Sequence, residues 1–214
     1  MLITDISKLR KEYRMKSLNE TEMFSDPIPQ FEAWLNDALK AAVKEPTAMT
    51  LATSTFDGRP SARIVLLKSV SKAGFSFFTN YESRKAKEIM QNPNAYLVLF
   101  WSELERQIRI EGKVHKLSEK ESDEYFSHRP KKTQITSWAS PQSRVISSRK
   151  YLENLINDFE EEFKNKQVTR PKNWGGFILE PYTVEFWQGR ENRVHDRIQY
   201  TRENEKWIIE RLAP

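Results

Sequence analysis

The sequence predicts an α+β fold made mainly of antiparallel strands, a small barrel with helices packed outside it. Three observations point there. Eight short segments carry strand-like apolar patterning. An Asp-Gly step, a strong hairpin signal, joins the first two of them. Helical stripes with their own caps and proline stops fall before and between the strands.

The elements follow in order. Residues 1–26 are polar and mixed and are expected to be a flexible N-terminal segment, with a short helix around Leu9 and Tyr13 as the most it would form. Phe31, Trp34, Leu35, Ala38, Leu39, Ala42 and Val43 recur at helical spacing, behind Pro27 and Pro29 and ahead of Pro46. Strands are expected at 48–55 and 61–68, flanking Phe56-Asp57-Gly58-Arg59-Pro60, and at 74–79, 95–101 and 107–115. A short helix over 83–91 separates the third strand from the fourth. Ser118 and Glu121 have capping-box spacing and open a helix that stops before Pro130. A longer helix over 148–163 carries the stripe Leu152, Leu155, Ile156, Phe159 and Phe163. Strands at 176–187 (interrupted near Pro181), 193–200 and 207–212 close the chain.

The 214 residues suit one domain, placed at 27–214. With 38% apolar and 30% charged residues the composition is that of a soluble globular protein. No apolar run approaches membrane-spanning length, and no signal-peptide core is visible at the N-terminus, so a cytoplasmic location is expected. The absence of cysteine excludes disulfides and thiolate metal sites. The three histidines are too few and too scattered to argue for a metal. The formal charge of +5 suits nucleic acid, an anionic membrane or a phosphorylated small molecule, or simply a lysine-rich surface.

Four segments could carry chemistry. If 193–197 is a strand, Arg193, His195 and Arg197 share a face, and three potential cations there call for an anion or an aromatic ring against them. An exposed face answered by acids elsewhere is about as good a reading. Arg63 and Lys68 bracket an apolar strand at odd spacing, which sends them to opposite faces and should keep them from binding one group, unless a bulge intervenes. Ordinary strand-end charge explains that segment alone. Arg84 and Lys85 follow Ser83, a plausible N-cap, and sit where the helix dipole disfavours cations, which points to an anion at the helix start or to two solvated charges. Tyr125, Arg129 and Thr133 could cradle a phosphate, although a basic helix C-terminus explains them as well. There is no dinucleotide fingerprint, no phosphate-binding P-loop and no zinc-protease motif.

Together these segments resemble the pyridoxine (pyridoxamine) 5'-phosphate oxidase family. The resemblance runs from about Leu9 to Pro214. It rests on Arg63-Ile64-Val65-Leu66-Leu67-Lys68, Phe78-Thr79-Asn80 with Ser83-Arg84-Lys85, Leu104 to Gln107, Tyr125 to Pro130, Trp138 to Ser143, Glu185 to Gly189, and Arg193-Val194-His195-Asp196-Arg197. It implies an FMN-binding split β-barrel and a homodimer with FMN at the subunit interface. By resemblance FMN meets Arg63, Ile64, Val65, Leu66, Leu67, Lys68, Phe78, Thr79, Arg84, Lys85, Gln107, Gln142, Ser143, Trp187 and Arg197. The substrate phosphate meets Lys68, Tyr125, Arg129 and Thr133. Arg193, Val194 and His195 cover the substrate ring, with Arg193 and His195 as the catalytic pair. Arg10, Lys11, Glu12 and Tyr13 match a segment that can close over the site. Thr133 stands where serine is usual, and Phe78 where tyrosine is common.

The implied reaction is oxidation of pyridoxine 5'-phosphate or pyridoxamine 5'-phosphate by O2 to pyridoxal 5'-phosphate, with FMN carrying the electrons. Neither nucleic acid, membrane nor metal is expected as a partner. A non-oxidase flavin carrier would keep Arg63, Arg84 and Lys85 without needing Tyr125, Arg129, Arg193 and His195. A nucleic-acid module would show an exposed basic stripe with stacking aromatics, whereas the aromatics here mostly fit core stripes.

Overall fold

The computed structural model describes residues 12–214. Arg10 and Lys11, and the expected N-terminal helix around Leu9, lie outside the described residues. The strands are β1 (Ala48–Ser54), β2 (Pro60–Leu66), β3 (Ser69–Ser71), β4 (Gly74–Asn80), β5 (Asn94–Trp101), β6 (Arg106–Lys116), β7 (Trp174–Gln188), β8 (Asp196–Glu203) and β9 (Lys206–Leu212). Their hydrogen-bonded order is β2-β1-β5-β6-β7-β4-β3, with β8 also on β7 and β9 on β8. The helices are α1 (Pro27–Lys40), α2 (Arg84–Gln91), α3 (Glu119–Ser127), α4 (Lys131–Ala139) and α5 (Arg149–Glu162). Among the described residues no helix is long and apolar enough to cross a membrane. The chain forms two compact units.

The first unit contains the described residues up to Pro46, then 98–110 and 182–214. Asp26 caps α1 by accepting from the Ile28 N–H at 2.7 Å, and Pro27 begins the helix without a donor to lose. Of the predicted stripe the helix buries Phe31, Trp34 and Ala38, and it also buries Ile28, whereas Leu39 is exposed. Trp34 meets Phe186 edge-on at 5.1 Å, and the Arg106 guanidinium lies 4.2 Å above Trp34 while donating to Asp37 at 2.8 Å. β8 and β9 form a hairpin, and β8 pairs with the end of β7 so that Trp187 faces Arg197 in register.

The second unit contains 47–97 and 111–181. The Asp57-Gly58 turn joins β1 to β2 as expected, with Gly58 at φ 82°, a conformation that costs glycine nothing. Beside the sheet, Phe126, Ile135, Phe163, Val168 and Trp174 make a core cluster on which Phe78, Tyr125, Ile156 and Phe159 pack. That cluster sets α3 and α4, and with them the segment between.

Four expectations are corrected. The strand expected from Arg193 begins only at Asp196, because Glu191–Arg193 form a 3-10 turn with Asn192 at φ 54° and Arg193 at φ 62°. Arg193, His195 and Arg197 therefore do not share a strand face. β7 runs unbroken past Pro181. α4 was not expected at all: Lys131–Ala139 has no apolar stripe, and it stands on the buried Gln134, Ile135, Ser137 and Ala139 instead. The short strand β3 was likewise absent from the sequence reading.

Candidate active site

A cavity of about 590 Å³ opens in the second unit, a size suited to a small-molecule ligand. Of the sequence-predicted residues, Arg63, Ile64, Val65, Leu66, Lys68, Phe78, Thr79, Lys85, Tyr125, Arg129, Thr133 and Gln142 line it. Leu67 is buried in the core, and neither Arg84 nor Ser143 is part of the lining. The expected separation of Arg63 from Lys68 by strand parity does not occur. β2 ends at Leu66 and the backbone then changes partners: the Leu67 N–H donates to the Thr47 carbonyl and the Lys68 N–H to the Ser76 carbonyl, each at 2.8 Å. Parity holds only while one pleat continues.

Two sets of cations face this cavity. In the first, Arg63 donates to the Leu51 carbonyl (3.1 Å), Thr53 Oγ1 (2.5 Å), Ser61 Oγ and Glu88 Oε2 (3.3 Å). Ser83 caps α2 as expected, accepting from the Ala86 N–H. One residue into that helix, Arg84 donates to Glu88 Oε1 at 2.8 Å. Lys85 donates to Thr79 Oγ1 (3.1 Å), Ser83 Oγ (3.4 Å) and Gln142 Oε1 (3.0 Å). No carboxylate answers Lys85 among the described residues. Burial, reinforced by the Arg63 charge, lowers its ammonium to about 8.

The second set centres on Arg129, between α3 and α4. Its guanidinium lies 4.5 Å above Trp174, donates to Ser137 Oγ at 2.7 Å, and has no carboxylate partner among the described residues. Burial pushes its pKa down, as expected for a charge taken from water without an opposite charge in return. Tyr125 stacks on Phe78 with centroids 3.8 Å apart, so the phenylalanine contributes its ring. Thr133 donates its hydroxyl to the Pro130 carbonyl at 2.8 Å, which leaves its oxygen lone pairs free.

The remaining predicted residues belong to the first unit: Glu12, Tyr13, Gln107, Trp187, Arg193, Val194, His195 and Arg197. The Tyr13 ring meets Trp187 at 5.6 Å and His195 at 5.9 Å, and Trp187 meets His195 at 4.7 Å. His195 Nδ1 accepts from the Arg190 N–H at 3.1 Å, which puts the ring proton of the neutral form on Nε2. Arg14 and Met15 donate their N–H groups to the buried Glu105 carboxylate, so backbone contacts hold the chain around Tyr13. Arg197 grips Glu185 with two nitrogens, at 2.8 and 3.1 Å. Glu88, Ser137, Trp174 and Glu185 were missed by the sequence reading. Two of them had left a signal: Glu88 by its position four residues after Arg84, and Glu185 as the first residue of the quoted motif that ends at Gly189.

The comparisons with known proteins identify the family. Residues 35–161 match the model of the pyridoxamine 5'-phosphate oxidase family. The chain belongs to the pyridoxamine 5'-phosphate oxidase family. Residues 174–214 match the pyridoxine 5'-phosphate oxidase C-terminal dimerisation region. A Cyanothece protein named pyridoxine/pyridoxamine 5'-phosphate oxidase is 51% identical, over 98% of each chain. A Salinibacter ruber protein of the same name is 50% identical, over 99% of this chain and all of that one. The enzyme class is accordingly oxidoreductase. Among solved structures, PhzG from Burkholderia lata, in complex with tetrahydrophenazine-1-carboxylic acid, has a TM-score of 0.89 and 33% identity over 94% of this chain and 99% of its own. A pyridoxamine 5'-phosphate oxidase-related FMN binding protein from Nostoc punctiforme has a TM-score of 0.71 at 19% identity, over 90% of this chain and all of its own, and shows the fold. The split-barrel class expected from the sequence holds. No group of three or more metal-ligating side chains is assembled among the described residues.

Proposed function

We propose that this member of the oxidase family converts pyridoxine 5'-phosphate and pyridoxamine 5'-phosphate to pyridoxal 5'-phosphate, with FMN as cofactor and O2 as electron acceptor. The observation that carries the reading is one cavity lined by two desolvated cations, Lys85 and Arg129, neither answered by a carboxylate among the described residues. Such charges persist where anions bind. The donor set fits a phosphate-bearing flavin at Arg63, Thr79, Lys85 and Gln142, and a second phosphate at Lys68, Tyr125, Arg129 and Thr133.

FMN, which Arg63, Thr79, Lys85 and Gln142 would hold, would supply the two-electron oxidation at the substrate's 4' carbon, with O2 as the final acceptor and hydrogen peroxide as its product. The alcohol then leaves as the aldehyde; the amine leaves as an imine that water hydrolyses to aldehyde and ammonia. Arg129 and Tyr125 hold the substrate phosphate and thereby fix where the 4' carbon lies. Arg193 covers the substrate ring. His195, with Nδ1 occupied by the Arg190 N–H, holds or releases a proton at Nε2. The protein acts as a homodimer, a reading supported by the match of residues 174–214 to a dimerisation region.

A visible spectrum of the purified protein and a peroxide assay test this. The expected result is a yellow protein that releases FMN on heating and forms peroxide with either phosphorylated substrate. Release of FAD, or no peroxide from either substrate with FMN bound, overturns it.

A further inference from the structure

Glu88 is 4% exposed, and Thr53, Ser61, Arg63 and Arg84 all donate to it. Thr53 Oγ1 and Ser61 Oγ each donate to Oε2 at 2.5 Å. Arg63 Nη2 approaches the same oxygen at 3.3 Å, and Arg84 Nε donates to Oε1 at 2.8 Å. Two hydroxyls therefore fix one carboxylate, and that carboxylate binds two guanidiniums. The arginines depend on it unequally. Arg63 has three other acceptors, Leu51, Thr53 and Ser61, and its side chain is 20% exposed. Arg84 is 65% exposed, and Glu88 is the acceptor it holds. Arg84 also sits in the first turn of α2, where the helix dipole works against a cation. Without a carboxylate one turn on, its long side chain would be free in solvent.

We propose that Glu88 is a positioning residue: it joins Arg84, which does not line the cavity, to Arg63, which does, and so holds the Arg84 charge beside the group that would bind the FMN phosphate. The inference rests on the FMN reading above. Two effects of Glu88 oppose each other. Its charge reduces the positive potential of the nest, which weakens anion binding. Its hydrogen bonds restrict Arg84 in advance, which strengthens binding by sparing the entropy of ordering that side chain, worth roughly 0.5–1.5 kcal/mol. Burial works to raise the Glu88 carboxyl, but hydrogen bonds from Ser61, Thr53 and Arg84 and the Arg63 charge outweigh it and hold the carboxyl at about 2. Glu88 is thus ionised throughout the working range, and its grip on Arg84 does not change with pH.

The test is fluorescence titration of the flavin-free full-length protein with FMN. Glu88→Gln keeps the shape and removes the charge. It is expected to raise the FMN dissociation constant roughly two- to tenfold, and to have a smaller effect in an Arg84→Ala background, where only its link to Arg63 remains. Tighter binding by Glu88→Gln means that charge reduction is its role and overturns the proposal. The same loss in both backgrounds means that Glu88 acts only through general structure and also overturns it. Failure of the unaltered protein to bind FMN refutes the cofactor reading instead. If Glu88→Gln does not fold, Ser61→Ala, which removes one donor to the carboxylate and one acceptor of Arg63 and leaves every charge in place, is to weaken FMN binding more in the presence of Arg84 than in its absence. Equal affinity of Ser61→Ala and the unaltered protein then overturns the proposal.

Discussion

Arg63 and Arg129 line the same cavity, yet they are held in different ways. Arg63 shares a buried carboxylate with Arg84 and adds two hydroxyls and a carbonyl. Arg129 has an indole face beneath it and the hydroxyl of Ser137 at its edge. A carboxylate orients a guanidinium but cancels part of the charge offered to a ligand. An aromatic face and a hydroxyl orient it while the whole charge remains available. The difference teaches that charge counted from sequence overstates the first group and not the second. It also ranks the residues by how much anion binding each should carry.

The largest expected effect is therefore at Arg129. Arg129→Ala should raise the KM for pyridoxine 5'-phosphate roughly ten- to a hundredfold, the cost of a charge-assisted hydrogen bond of about 1.5–3 kcal/mol. Its FMN affinity should stay within a factor of about two, as measured by flavin fluorescence. Equal loss of both ligands would merge the two groups into one anion site and end the comparison.

Lys85 comes next, because it is the unanswered cation of the first group. With its pKa lowered to about 8 by burial and by Arg63, it is charged below that pH in the free protein. A bound phosphate favours the charged form, so the pKa rises on binding. FMN affinity should be level below about pH 8 and fall above it, by at most roughly tenfold per pH unit, as binding comes to require proton uptake. Lys85→Arg, which stays charged, should flatten the profile. A level profile for the unaltered protein would show that Lys85 does not face the phosphate. The same shift has a stability sign: the unfolded lysine binds its proton more tightly, so between about pH 8 and 10.5 this group makes the flavin-free protein more stable as pH rises.

Arg84→Ala should raise the FMN dissociation constant about tenfold at most, since an exposed charge is screened by solvent. Its apparent substrate defect should largely recover at saturating FMN. The smallest effect belongs to Ser137→Ala, which removes the edge support of Arg129 but neither its charge nor the Trp174 face. A loss of about 0.5–1.5 kcal/mol corresponds to a KM increase of roughly two- to tenfold. Steady-state kinetics at saturating flavin would show it, and a kcat change without a KM change would place Ser137 elsewhere in the mechanism.

The sequence by itself determined the elements whose signal is local. The helical stripe from Phe31 to Leu39, the Asp57-Gly58 turn, the Ser83 and Ser118 caps and most strands depend on spacing and backbone preference within a few residues, and they stand where expected, although the helix ends at Lys40 and Ala42 and Val43 fall beyond it. Twelve of the residues named through the resemblance line one cavity, a grouping that the structure supplies. Tertiary structure decided the rest, because the deciding interactions join residues distant in the chain. α4 lacks an amphipathic pattern and is held through Gln134, whose amide donates to the Phe126 carbonyl at 2.8 Å, and through Ile135 in the core cluster. Arg63 and Lys68 share a cavity because the backbone leaves β1 for β4 at Leu67, a change of hydrogen-bond partner that strand parity cannot express. Arg193 leaves the strand because its φ and that of Asn192 are positive, a conformation that asparagine adopts more readily than most residues and arginine does not. The support of the two arginine groups, Glu88 under one and Trp174 under the other, exists only once β1, β2 and α2, or α3, α4 and β7, have been brought together.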